Sequence, residues 1–149
     1  MLARDLPDLA ATHAFAAEIG DRLRPGDAVL LAGSLGAGKT VFARALLRHI
    51  AADPVLDVPS PSYTLVQTYE TKLGPVHHFD LWRLDGPRDL AELGWDEARA
   101  GIVVVEWPDR LGPLTPADAL TIALTPTGEH SRRALVSGWP DRLATPPPA

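Results

Sequence analysis

Residues 28–40 read AVLLAGSLGAGKT, and few short stretches restrict a fold as tightly. Ala28–Ala32 is wholly apolar and lies between turn signals, the pattern of a strand buried on both faces of a parallel sheet. Gly33 to Gly38 is a glycine-rich turn, in which the backbone can curl and approach a ligand closely. From Lys39 to about Ile50, Val41, Phe42, Ala45 and Leu46 fall on one side and Arg44 and Arg48 on another, so the spacing predicts an amphipathic helix. A buried strand, a glycine turn and a helix in that order belong to an α/β layer architecture.

The segment Gly33, Ser34, Leu35, Gly36, Ala37, Gly38, Lys39, Thr40 fits G-x-x-x-x-G-K-[ST]. Its chemistry follows from its placement. Successive backbone N–H groups point inward at phosphate oxygens, and the start of the following helix adds its positive dipole end. Lys39 brings a mobile point charge for the β- and γ-phosphates, and the Thr40 hydroxyl can ligate Mg²⁺. Lys39 is one of only two lysines in a chain whose other permanent side-chain cations are arginines. A compact ammonium suits this position better than a broad guanidinium fork. The predicted nucleotide-contacting set from this segment is Gly33, Leu35, Gly36, Ala37, Gly38, Lys39, Thr40 and the adjoining Val41.

Such a site needs a carboxylate near the metal, at the end of a strand beside the loop. Glu106 ends the apolar run IVVVE, and Asp80 ends VHHFD. A carboxylate closing a dry strand needs a partner. Spacing alone does not say which of the two touches metal and which orients the attacking water. His77 and His78 alternate across a strand and cannot chelate together, so both read as structural. His49, near the end of its helix, suits the helix dipole. Trp107, after Glu106, reads on its own as a core aromatic.

Elsewhere, Asp8 to Leu23 is predicted as an amphipathic helix, ended by RPGD. Asp53 to Tyr63 holds three prolines and is expected as an extended loop. Tyr63–Glu70 and Val76–Leu81 read as a hairpin around TKLGP. Short helices are expected from Pro87 and near Asp96, and further strands over Asp118–Leu124 and Arg133–Ser137. The sheet is therefore expected to be mixed and partly antiparallel, in a three-layer P-loop NTPase-like α/β fold. One domain is expected over 1–143, with a disordered Pro-rich tail over 144–149.

The net charge of −5 disfavours direct binding to DNA or RNA by phosphate neutralisation. No apolar run approaches the ~20 residues of a bilayer-spanning helix. Cysteine is absent, which removes disulfides and thiolate metal sites. Charges sit where a secretory signal would be apolar. The expected setting is soluble and cytoplasmic. Guanine selection through [NT]-K-x-D is disfavoured, because the chain has no Asn and TKLG lacks the Asp. ATP is the expected nucleotide.

Four motifs in order, GSLGAGKT, SPSYTLV, HHFDLWRL and VVVEWPDRL, make the chain resemble the bacterial TsaE family, from about Asp8 to Arg142. The family's SPTFTLV stands here as SPSYTLV, and its HFDLYRL as HFDLWRL. These are conservative changes. The resemblance implies an ATPase that works with TsaB and TsaD in tRNA threonylcarbamoyladenosine biosynthesis, with the tRNA contacted mainly through those partners. It implies ATP and Mg²⁺ as cofactors. Lys39 and Thr40 would hold phosphates and metal, Glu106 would be a metal ligand, and Asp80 would serve hydrolysis within reach of the metal. Ser60 and Thr64 would lie in a switch-like segment, Trp107 would border the site, and Thr12 would lie near the adenine. No arginine finger is evident in the loop, so hydrolysis is expected to be slow alone and faster with partners. The Arg pair in SRRA sits in an expected hairpin rather than a lid. A P-loop small-molecule kinase and a non-hydrolysing nucleotide sensor share the same cradle and stand as alternatives.

Overall fold

A computed structural model describes residues 2–61 and 63–144. The tail expected over 144–149 falls outside these residues except for Ala144, which ends a short helix. Seven strands form one sheet: β1 (Leu2–Leu6), β2 (Ala28–Ala32), β3 (Val66–Thr71), β4 (Gly74–Asp80), β5 (Ile102–Glu106), β6 (Leu120–Pro126) and β7 (Arg132–Ser137). Their spatial order is β1-β7-β6-β2-β5-β4-β3. The central strands β6, β2, β5 and β4 are parallel, while β7 and β1 at one edge and β3 at the other are antiparallel. The mixed sheet is therefore as expected.

Burial explains the layers. Every residue of β5 is buried, as its unbroken apolar run requires. Val29, Leu31, Ile102 and Val104 face one core, built with helices α1 (Leu9–Gly20) and α2 (Lys39–Ile50). Phe15 of α1 and Phe42 of α2 meet edge to face there, ring centres 5.8 Å apart. Ala28, Leu30, Val103 and Val105 face the opposite core. That side is covered by 3-10 turns at Pro87–Leu93 and Pro108–Leu114 and by the short helix α3 (Trp95–Ala98). Asp8 caps α1, its carboxylate accepting from the Ala11 N–H at 2.8 Å.

Three elements differ from expectation. Strand β1 was not foreseen: LARDL has no clean alternation, and only Leu6 is buried. It is an edge strand, held by register with β7. The hairpin strand begins at Val66 rather than Tyr63. Leu65 takes a left-handed φ of 67°, and its N–H donates to the Pro61 carbonyl at 2.7 Å, which closes a turn ahead of the strand. A final helix, α4 (Pro140–Ala144), also went unread.

Candidate nucleotide site

The strand order decides what meets the glycine loop. β5 is the direct neighbour of β2, and β4 lies beyond it, with Asp80 paired in register to Glu106. Both carboxylates therefore stand at the carboxyl ends of parallel strands, on the edge from which the loop leaves β2. Open α/β sheets bind ligands along that edge.

The loop itself needs its glycines. Gly33, Gly36 and Gly38 all have positive φ. At Gly33 (φ 145°) a Cβ would lie 2.6 Å from the Leu124 carbonyl oxygen. Gly38 precedes α2 with no side-chain cap, so the first N–H groups of that helix remain for an anion. Lys39 is buried and folds back over the loop. Its ammonium donates to the carbonyls of Gly33 and Ser34, each at 2.7 Å, and sits 4.0 Å above the Trp107 ring. Burial pushes its pKa below the usual lysine value, while Glu106, Asp80 and Asp109 pull the other way.

The acidic half of the site is fully hydrogen-bonded. Glu106 is 2% exposed. Its Oε1 accepts from the Thr40 hydroxyl at 2.8 Å, and its Oε2 lies 2.7 Å from His78 Nε2. Asp80 accepts from the Trp82 N–H at 3.1 Å and from the Ser60 hydroxyl at 3.3 Å. Trp107 takes a left-handed backbone (φ 58°), a strained turn for a bulky residue. The turn places the indole over Lys39 and 4.4 Å from the Trp82 ring.

These groups line one cavity of about 310 Å³. From the loop and α2 come Leu35, Gly36, Gly38, Lys39, Thr40 and Val41, and from other elements Ser60, Asp80, Glu106 and Trp107. The remaining expected residues lie around it. Gly33 and Ala37 form the base of the loop, Ala37 fully buried. Thr12 is buried in an adjoining small cavity with Gly38 and Val41. Thr64 is exposed, accepts from Gln67 Nε2 at 3.2 Å, and is not among the cavity's lining residues. A larger groove of about 690 Å³ between α1 and α2 touches this set only through Val41.

Two cavity residues escaped sequence reasoning. Trp82 packs against Trp107 in the cavity lining, the two rings tilted at 46°. Arg132 reaches in from β7: its Nε donates to the Ala37 carbonyl at 2.8 Å, and its Nη1 to carbonyls of Gly128, Glu129 and Ser131. All four acceptors are neutral carbonyls, so among the described residues the guanidinium brings its positive charge to the cavity without a carboxylate hydrogen-bonded to it. The SRRA pair was the available signal. The two histidines do face opposite ways, as alternation requires. His78 is buried on Glu106, and His77 Nδ1 lies 3.0 Å from the Thr68 hydroxyl.

The donor set fits Mg²⁺. A hydroxyl and two carboxylates are hard oxygen ligands, and this ion takes one or two protein carboxylates plus phosphate oxygens and water rather than a full protein cage. No cluster of three or more His, Cys, Asp or Glu suited to a metal occurs among the described residues.

Comparison with known proteins gives this geometry a lineage. The family model "Threonylcarbamoyl adenosine biosynthesis protein TsaE" matches residues 6–134. A tRNA threonylcarbamoyladenosine biosynthesis protein TsaE from Rickettsia felis is 35% identical over 122 residues, covering 81% of this chain and 71% of its own. The protein of the same name from Nostoc is 33% identical over 138 residues, covering 89% and 83%. The crystal structure of Bacillus subtilis YdiB superposes with a TM-score of 0.74 at 25% identity, covering 95% of this chain and 88% of that one. With the family match spanning both carboxylates, the glycine loop and Arg132, this chain belongs to the TsaE family.

Proposed function

We propose that the chain binds ATP with Mg²⁺ in the 310 Å³ cavity and hydrolyses it while acting on the TsaB–TsaD pair in tRNA threonylcarbamoyladenosine biosynthesis. The observation that carries this reading is the convergence of four groups. The Lys39 ammonium, the Thr40 hydroxyl, Glu106 and Asp80 meet on one cavity from three different elements.

The loop amides and the start of α2 receive the phosphate chain, and Lys39 exchanges its two carbonyl partners for phosphate oxygens. Arg132 adds charge on the side of the small cavity that holds Thr12. Thr40 and Glu106 are the residues to hold Mg²⁺, with Asp80 beside them. When bound, the ion neutralises charge on the β- and γ-phosphate oxygens. Asp80, held by Ser60, orients the attacking water and accepts its proton. Trp107 and Trp82 cover the site and limit water. The Pro-rich segment carrying Ser60 is the part to order around the γ-phosphate and relax after hydrolysis. A net charge of −5 suits a protein whose tRNA is contacted mainly by its partners.

Calorimetry with Mg²⁺ and ATP, paired with a phosphate-release assay, tests the proposal. Asp80→Asn is expected to bind nucleotide as the parent does and to lose ~10²–10⁴-fold in turnover, the usual contribution of a positioned base. Adding TsaB and TsaD is expected to accelerate the parent. Phosphate appearing on a small-molecule acceptor instead of in water would replace hydrolysis with kinase chemistry. Unchanged turnover in Asp80→Asn would remove Asp80 from the reaction.

A further inference from the structure

We propose that His78 is a positioning residue that fixes the Glu106 carboxylate toward Thr40 and thereby sets the Mg²⁺ affinity of the site. The inference rests on the nucleotide reading above and assigns a role to a residue that reading does not use.

His78 lies within β4, in register with Val104 of β5, two positions before Asp80. Residues of that parity face the α2 side of the sheet, where Glu106 also projects. The imidazole is 0% exposed and Glu106 only 2%. A carboxylate at that depth must have both oxygens satisfied or lose much of its hydration without replacement. Its Oε1 has Thr40 and its Oε2 has His78. An ionised carboxylate only accepts, so the bridging hydrogen resides on Nε2 and the imidazole is the donor.

The other ring nitrogen makes the case stronger. His78 Nδ1 is buried with no hydrogen-bond partner among the described residues. A histidine kept for packing alone would bury two polar nitrogens where an apolar side chain would bury none. Here Nδ1 has no partner among the described residues, while Nε2 meets Glu106. Such an orphan in a native core calls for an explanation. His77, one residue earlier, shows the contrast: it is half-buried on the opposite face, beside a Thr68 hydroxyl that carries no ligand chemistry.

The consequence is directional. With Oε2 tied to His78, the carboxylate cannot rotate, and Oε1 stays aimed at the Thr40 hydroxyl. The two oxygens expected to hold the metal are thus arranged before it arrives. Groups that orient metal ligands in this way typically change metal affinity by ~10–100-fold when removed.

The test uses the full chain with three variants. His78→Leu removes the donor. His78→Gln restores an N–H at similar reach. His78→Asn keeps an amide too short to span the gap. ATP affinity is measured by calorimetry in EDTA, and again across a Mg²⁺ titration. His78→Leu is expected to bind ATP in EDTA within about threefold of the parent and to need ~10-fold more Mg²⁺ or above for its Mg²⁺-dependent gain. His78→Gln is expected to titrate like the parent. If Leu prevents folding, Asn takes its place in the same comparison. A His78→Leu or Asn protein that titrates Mg²⁺ like the parent, or a Gln variant as weak as Leu, overturns the positioning role alone. A parent protein with no Mg²⁺-dependent ATP binding overturns the nucleotide reading, and this inference with it.

Discussion

Replacing Lys39 by Met separates what the ammonium does for the ligand from what it does for the fold. Methionine keeps an unbranched stem over the Trp107 ring and deletes the charge. Two opposite unit charges ~4 Å apart attract by about 4 kcal/mol at an effective dielectric of 20. Against this stand the two 2.7 Å bonds to the Gly33 and Ser34 carbonyls, which the ammonium gives up on reaching phosphate. Ser34 is exposed, so water replaces much of what its carbonyl loses. The net loss of nucleotide affinity is then about 2–3 kcal/mol, or roughly 30- to 150-fold. Stability should respond differently. Burial already holds the Lys39 pKa below its ordinary value, so the charged form is a cost to the native state at neutral pH. Deleting it is expected to leave the melting temperature of the free protein nearly unchanged. Calorimetric titration with Mg²⁺ and ATP gives the affinity, and thermal denaturation without ligand gives the stability. An affinity within threefold of the parent would refute the reasoning. So would a weakened fold with affinity intact.

Two further predictions concern the fold and pH. Gly33→Ala places a Cβ 2.6 Å from the Leu124 carbonyl oxygen and 2.9 Å from the Ala37 Cβ, at a φ of 145°. Backbone strain of ~1–3 kcal/mol and overpacking of similar size predict a loss of about 2–6 kcal/mol. For a chain of this length that is a drop of roughly 4–24 °C, and a thermal melt within 2 °C of the parent would contradict it. His77 has its pKa lowered by burial, with Glu70 opposing. Its folded value thus lies below the ordinary 6.5, so the unfolded chain takes up the proton first. The stability it contributes is present above pH ~6.5 and is lost as pH falls through the folded value. Urea midpoints at pH 7.5 and pH 5 should therefore differ less in His77→Gln than in the parent, and equal differences would remove His77 from the pH response.

Local patterns were legible in the sequence wherever one segment carries its own cause. β2, α2 and β5 fall on the residues that periodicity indicates, because each has an unbroken apolar run or a helical stripe. The glycine loop was legible for the same reason. What sequence could not supply was adjacency. Whether Asp80 or Glu106 stands beside the loop depends on the order β2-β5-β4, which no local pattern encodes. Glu106 turns out to be the immediate neighbour, bonded to Thr40, while Asp80 pairs with Ser60. Arg132 carried a signal in SRRA, but its placement was unreadable on the same grounds. Its role depends on an antiparallel return that folds the β6–β7 turn over the loop. β1 was missed because its stability comes from register with β7 rather than from its own composition.

That return strand has a consequence for how the protein matures. Arg132 and the Ala37 carbonyl it secures are 95 residues apart in the chain. The first strand, too, waits for β7 before it has any partner in the sheet. On the ribosome the glycine segment emerges long before the arginine that braces it. The nascent chain can therefore build its parallel centre early, but a finished pocket arrives only with the last strand.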